Sequence, residues 1–127
     1  MDWKKKRILV IDDDLGILRV FKNILEKEGF SVETAGTGKA ALEKIKKDKF
    51  NVFLIDFKLP DMDGTDLLCR LEADRKTVKI IVTGFSSEDL GKKAADCGAD
   101  DFLVKPVRAE ELVSTVRERL GIKQSES

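Results

Sequence analysis

Histidine is missing from the 127-residue chain, so histidine catalysis is excluded outright. Cysteine is nearly missing too. Only Cys69 and Cys97 are present, both on helix-like segments, and they read as two reduced, buried, small hydrophobes in a cytosolic protein. A Cys/His zinc site needs more ligands than these. An excess of charge of either sign is also lacking, because lysine plus arginine and aspartate plus glutamate come to 24 each. That balance argues against nucleic-acid binding by this domain and against polybasic membrane binding. The basic run Lys4-Lys5-Lys6-Arg7 directly precedes an apolar strand and reads as a solvated lead-in. No apolar stretch of signal-peptide type stands near Met1, and nothing approaches a membrane span. Neither an internal repeat nor a low-complexity stretch is visible.

What is present fits one domain of ordinary size, with 42% hydrophobic residues for a core and 38% charged residues for a solvated surface. Apolar runs alternate with helical periodicity five times. The expected strands are Arg7–Ile11, Ser31–Ala35, Asn51–Ile55, Lys79–Val82 and Asp101–Val104. The expected helices are Leu15–Glu28, Lys39–Lys47, Thr65–Ala73, Glu88–Cys97 and Ala109–Leu120. Gly29, Gly98 and Gly121 follow the first, fourth and fifth helices where a left-handed C-cap belongs. Thr37 can cap the second helix, and Ser86 with Asp89 resembles a capping box at the fourth.

This alternation demands an α/β fold with parallel strands and right-handed helical crossovers. Strands one, three and four are almost wholly apolar, as strands buried on both faces are. Strand two carries Ser31, Glu33 and Thr34, and strand five begins with Asp100-Asp101, so both suit edges. A doubly wound five-stranded sheet of order 2-1-3-4-5, flanked by five helices, satisfies these constraints. Residues 1–122 form the expected domain. Residues 123–127 form a loose polar tail from which a linker can begin.

Ligands in such a sheet sit outside the carboxyl ends of the strands. Asp12, Asp13 and Asp14 follow strand one, and Asp56 follows strand three. Thr83 ends strand four, and Lys105, followed by Pro106, comes after strand five. Carboxylates crowded at one rim repel, and one would have to hold a proton unless a cation were shared. An all-oxygen donor set suits a hard ion such as Mg²⁺. A carboxylate can also attack phosphorus, with the charge on the equatorial oxygens met by a metal, a lysine and a hydroxyl. Each residue alone has a plainer reading. Asp14 is a natural N-cap for the first helix, Thr83 an ordinary strand-end threonine, Lys105 a solvent-exposed lysine, and Asp56 the start of a turn with Pro60 and Gly64. Their meeting at one sheet edge is what carries weight.

At this point the chain resembles the receiver domain of two-component response regulators (CheY-like) over essentially its whole length. The resemblance is carried by Ile8-Leu9-Val10-Ile11-Asp12-Asp13-Asp14, by Leu54-Ile55-Asp56-Phe57-Lys58-Leu59-Pro60-Asp61-Met62-Asp63-Gly64, by Ile81-Val82-Thr83-Gly84, and by Gly98-Ala99-Asp100-Asp101-Phe102-Leu103-Val104-Lys105-Pro106. It implies that Asp56 is the phosphoacceptor, that Asp13 binds Mg²⁺ directly and Asp12 through water, and that the Lys58 backbone carbonyl is a further ligand. It implies Thr83 as the switch hydroxyl, Phe102 as the aromatic that follows it, Lys105 as the phosphate-binding ammonium, and a cis bond before Pro106. The phosphoryl donor would be a phosphohistidine on a sensor histidine kinase or phosphotransfer protein in the cytoplasm. The altered face of helix four, strand five and helix five would then meet a downstream effector or a fused output domain.

Some positions depart from the family's usual pattern. Lys58 sets a long cation at the mouth of the site, which predicts altered hydrolysis of the phosphoryl group. Phe102 lacks a tyrosine hydroxyl, so its switch must work by packing. Phe85 adds bulk near the entrance. Thr115 and Ile122 stand where the winged-helix subfamily carries arginines on the fifth helix, so that subfamily's dimer is not expected.

Other readings compete. In a haloacid-dehalogenase-like phosphatase, Asp12 would be the nucleophile and Asp14 the acid/base. Against it, Gly16 stands where threonine or valine is usual, Asp100-Asp101 precedes Lys105, no cap domain fits, and Asp56 has no role. A flavodoxin-like cofactor binder needs a phosphate cradle after strand one, where three aspartates would repel it. A degenerate receiver acting only as an interaction module is not required, because the acidic pair, Asp56, Thr83 and Lys105 are all present.

Overall fold

A computed structural model describes residues 6–71, 76–84 and 88–122. Its strands are β1 (Arg7–Ile11), β2 (Ser31–Ala35), β3 (Val52–Asp56), β4 (Val78–Thr83) and β5 (Asp101–Val104). Its helices are α1 (Leu15–Lys27), α2 (Gly38–Lys47), α3 (Gly64–Arg70), α4 (Glu88–Asp96) and α5 (Ala109–Leu120). All strand pairs are parallel and the order is β2-β1-β3-β4-β5, as composition predicts. The third strand lies one residue later than expected, so that Asp56 is its last member and pairs in register with Val82 of β4. The expected third helix to Ala73, the Ser86 capping position, Phe85, Lys4, Lys5 and the tail 123–127 fall wholly or partly outside the described residues.

Strand alternation sends side chains to opposite faces, and each face makes its own core. On one, Ile8, Val10, Val52, Leu54, Ile80 and Val82 meet α1 and α5 through Leu18, Phe21, Leu25, Leu112 and Val116. On the other, Leu9, Ile11, Phe53, Ile55 and Ile81 meet α2, α3 and α4 through Ala41, Leu67, Leu68 and Ala94. The result is three layers, helix–sheet–helix. Leu18, Phe21 and Leu25 are the buried stripe that the helical spacing predicts for α1. Leu25 is fully buried, and removing its side chain to alanine would cost about 2–5 kcal/mol.

The helix ends follow the sequence signals. The Asp14 carboxylate accepts from the Gly16 and Ile17 amides, and Thr37 Oγ1 accepts from the Ala40 amide. Gly29, Gly98 and Gly121 all have positive φ, the conformation expected of them at the helix ends. The Lys105–Pro106 peptide is cis.

Two expectations are corrected. Cys69 and Cys97 are not separate buried thiols but are joined in a disulfide, and Cys69 is exposed. Twenty-eight residues separate them in sequence, yet packing brings their Cα atoms to 4.8 Å, within bridging range. Arg7, read as part of a solvated lead-in, is half-buried. Its guanidinium pairs with Glu33 and Asp48 and lies 4.9 Å from the centre of the Phe50 ring. Strand pairing places those partners beside β1, which a local charge run cannot reveal.

Candidate functional site at the carboxyl edge of the sheet

Three strand ends position the charged groups. The Asp12 amide donates to the Ala35 carbonyl at 3.1 Å, extending the β1–β2 ladder one residue and fixing Asp12 at the rim. The Lys105 amide donates to the Thr83 carbonyl at 2.7 Å and does the same beyond β5. Asp56 ends β3 between them. Carboxylate oxygens of Asp12, Asp13 and Asp56 lie within 4.8 Å of one another. Asp12 and Asp56 are buried, at 3% and 8% exposure, whereas Asp13 is open to solvent. Lys105 reaches in from the next segment, with Nζ 2.8 Å from Asp12 Oδ2 and 3.3 Å from Asp56 Oδ1.

The other expected site residues stand around this cluster. Thr83 is buried at the end of β4, one residue beyond the register partner of Asp56. Phe102 is half-buried on β5, opposite Ile81, and packs against the core of the α3–α4 face. Lys58 is exposed two residues after Asp56, in a loop whose backbone bridges Lys58 to Asp63. Asp14, the acid/base of the phosphatase reading, instead turns its carboxylate to the amides of α1. That leaves the phosphatase reading without its second carboxylate.

Two further residues of the same motif shape the loop after Asp56, through contacts that the sequence does not reveal. Gly64 begins α3 directly against β3. A Cβ there would lie 2.3 Å from the Asp56 carbonyl oxygen, so only glycine permits this approach. Asp61 accepts from the Gly38 and Lys39 amides, each at 2.9 Å, and so ties the loop to the start of α2. The glycine and aspartate are visible in the sequence, but their partners are not, because each contact depends on how the strands and helices stack.

The electrostatics follow from this crowding. Asp56 titrates above the ordinary aspartate value, because burial disfavours its charge and Asp12 repels it, while Lys105 only partly offsets both. Burial also works against the charge of Lys105, but the Asp12 hydrogen bond and the two negative charges outweigh it, so its pKa is raised. Asp61 titrates below the ordinary value because the Gly38 and Lys39 amides favour its ionised form. Three carboxylates facing one ammonium leave excess negative charge in oxygen donors alone. That chemistry fits a hard divalent cation.

An open groove of about 580 Å³ lies next to the cluster. Ile17, Val20 and Phe21 of α1 line it together with Lys105, Pro106 and Val107. Leu15, at the start of α1, is 70% exposed.

A doubly wound sheet with an acidic triplet and one lysine at its carboxyl edge is the arrangement expected of a receiver domain. The comparisons agree. A family profile described as the response regulator receiver domain matches residues 8–117, and the chain belongs to that family. It is 34% identical over 120 residues to the DNA-binding response regulator MtrA of Mycobacterium tuberculosis, covering 94% of this chain and 53% of that protein. The chain thus spans about half the length of that relative. A CheY-like receiver domain structure from Methanospirillum hungatei superposes with a TM-score of 0.89 at 42% identity, covering 92% of this chain and 94% of that one. A Burkholderia pseudomallei response regulator, described with a phosphorylated aspartic acid, calcium ion and citrate, superposes with a TM-score of 0.81 at 27% identity, covering 91% and 73%. Among the described residues, no helix is long and apolar enough to cross a membrane.

Proposed function

We propose that the chain is a cytoplasmic receiver domain, formed by residues 1–122, whose Asp56 takes a phosphoryl group from a phosphohistidine on a sensor histidine kinase or phosphotransfer protein. The observation that carries this reading is the meeting of Asp12, Asp13 and Asp56 oxygens within 4.8 Å, with Lys105 bonded to two of the three carboxylates. The presence of a phosphorylated aspartic acid in the Burkholderia relative supports it.

An Asp56 carboxylate oxygen attacks phosphorus, a P–O bond forms, and the P–N bond of the phosphohistidine breaks. The departing imidazole keeps the electron pair and takes a proton from solvent. Asp12, Asp13, Asp56 and the Lys58 carbonyl are the residues that would hold Mg²⁺. The ion would supply charge neutralisation on the phosphoryl oxygens. Lys105 transfers its ammonium from the carboxylates to a phosphoryl oxygen, and Thr83 donates its hydroxyl to another. Thr83 leaves its buried place, and Phe102 turns inward by packing alone. Reversing a two-state balance from 1:99 to 99:1 needs about 5.5 kcal/mol. A charge-assisted hydrogen bond from Thr83 would contribute about 1.5–3 kcal/mol of this, and Lys105 adds only the difference between its phosphoryl bond and the carboxylate bonds it gives up.

The apolar groove beside Lys105, with exposed Val20 in its lining, would be a contact face for the donor protein. The changed α4–β5–α5 face then meets a downstream effector or a fused output domain; the similarity to a DNA-binding response regulator about twice as long supports the latter.

The test is covalent. Incubation with a small acyl phosphate and Mg²⁺ should add one phosphoryl mass, and the site should map to Asp56. Chelation of the metal and Asp56→Asn should each abolish the gain. Labelling that persists in Asp56→Asn overturns the assignment.

A further inference from the structure

The chain's two cysteines sit on different helical segments and are joined to each other. Cys69 is on the last turn of α3 and is exposed. Cys97 follows α4 and is buried in the same apolar cluster as Leu67, Leu68 and Ala94, the cluster against which Phe102 packs. Their Cα atoms lie 4.8 Å apart, so the backbone needs no rearrangement to bring the sulfurs together. The bond closes a loop with a sequence separation of 28, and that loop contains the whole of β4, with Thr83, and the whole of α4.

We propose that Cys69 and Cys97 form a reversible dithiol–disulfide couple that sets how freely α4 moves. In the disulfide form, the C-terminal end of α4 is tied to the end of α3. The wall beside Phe102 is held with it, since the Ala94–Ala99 turn that leads into β5 carries Cys97. In the dithiol form, α4 is held to α3 by packing alone. A second consequence rests on the receiver reading given above: a change at Thr83 spreads further along α4 when the bond is open.

Closing the bond removes two electrons and two protons from the thiols. The oxidant is a low-molecular-weight or protein disulfide, which leaves as two thiols. Opening runs the other way. An external thiolate attacks the sulfur of exposed Cys69, the S–S bond breaks, and Cys97 departs as a thiolate that takes a proton. A second thiolate then resolves the mixed disulfide. Exposure on one side and burial on the other make Cys69 the reachable sulfur and Cys97 the shielded one.

The experiment uses the full chain equilibrated across ratios of reduced to oxidised glutathione. Alkylation and mass analysis count the free thiols, and amide hydrogen exchange is read over α4. Both thiols should protect and deprotect together. The Leu90–Asp96 amides should exchange roughly tenfold or more faster in the dithiol form, with α1 and α2 unchanged. Cys69→Ser, a substitution at an exposed position, should match the dithiol form at every ratio. Should Cys69→Ser fold poorly, reduced and alkylated wild-type chain provides the same comparison. Thiols that stay alkylatable at every ratio, or α4 exchange that is equal in both forms, overturn the proposal. No phosphoryl donor is present in this experiment, so its failure is separate from any failure of Asp56 labelling. Adding acyl phosphate and Mg²⁺ to both forms then tests the second consequence, which is overturned if α4 responds equally in each.

Discussion

The ammonium of Lys105 lies 2.8 Å from Asp12 Oδ2, and this bond is shorter than the one it makes to Asp56, at 3.3 Å. Lysine therefore serves first as the counter-ion of the most buried carboxylate at the rim. A cation among the aspartates would take over that duty and release the ammonium for a phosphoryl group. Lys105→Met keeps the length of the side chain and removes the charge. In metal-free buffer it should destabilise the fold by about 1–3 kcal/mol, because two buried carboxylates lose the one ammonium that pairs with them among the described residues. Mg²⁺ should recover most of the loss, because an ion held by the folded site and not by the unfolded chain would stabilise the fold. Urea melts with chelator and with Mg²⁺ check both parts. Equal midpoints for the two proteins without metal would contradict this role.

Asp56 gives the opposite sign. Its folded pKa is raised by burial and by Asp12, so its ionised form is worse off folded than unfolded. The stability associated with this group is full below the unfolded aspartate value and is lost as pH rises through the raised folded value. At neutral pH and without metal, Asp56→Asn should therefore melt at a higher temperature than the wild type. The gain should shrink as the pH is lowered toward the unfolded aspartate value. Thermal melts at stepped pH in chelator measure this, and a variant that is less stable at neutral pH would contradict it.

The parts of the fold that could be read in the sequence are those whose signal is local. Strand order followed from where Val, Ile and Leu run unbroken and where Ser31, Glu33 and Asp101 interrupt. The caps at Asp14 and Thr37 followed from residue type and spacing. The rim residues followed from strand ends, and packing brought Asp12, Asp13, Asp56 and Lys105 to one place. Contacts between layers left no such signal. Lys79 is buried in central β4 with Nζ donating to the Thr77 carbonyl, and Arg117 of α5 is buried against Glu28 beside α1. Nothing in the charge pattern distinguishes these two from the many solvated lysines and arginines. The Cys69–Cys97 bond leaves no local signal either, since the facing of these two helix ends is set by the sheet face on which α3 and α4 both pack.

Gly64 is where fold and site share one constraint. A Cβ at this position would meet the Asp56 carbonyl oxygen at 2.3 Å, with the Phe57 Cα at 3.0 Å, and neither is a flexible side-chain end. Gly64→Ala must push α3 away from the end of β3 and should cost about 1–3 kcal/mol. The same shift moves the Asp56 carboxylate relative to Asp12 and Lys105. Labelling by acyl phosphate should slow even under conditions where the variant is fully folded. A variant with wild-type stability and labelling rate would show that the loop absorbs a methyl group without moving Asp56.

Asp61 links the loop after Asp56 to α2, and its charge should make that link depend on pH. The carboxylate accepts from the Gly38 and Lys39 amides, which lowers its pKa in the folded chain. A lowered carboxylate contributes stability that is present above the unfolded aspartate value and is lost as pH falls through the folded one. Asp61→Asn keeps the shape but removes the charge and leaves one acceptor oxygen for two amides. At neutral pH the variant should unfold at lower urea than the wild type, with faster hydrogen exchange at Gly38 and Lys39. As the pH is lowered through the aspartate range, wild-type Asp61 becomes protonated and the two midpoints should converge. Met62 packs so closely on Gly38 that a Cβ there would lie 2.5 Å from its sulfur, so loosening Asp61 should also be felt at Met62. If the stability gap is independent of pH, the carboxylate holds α2 by shape and not by charge.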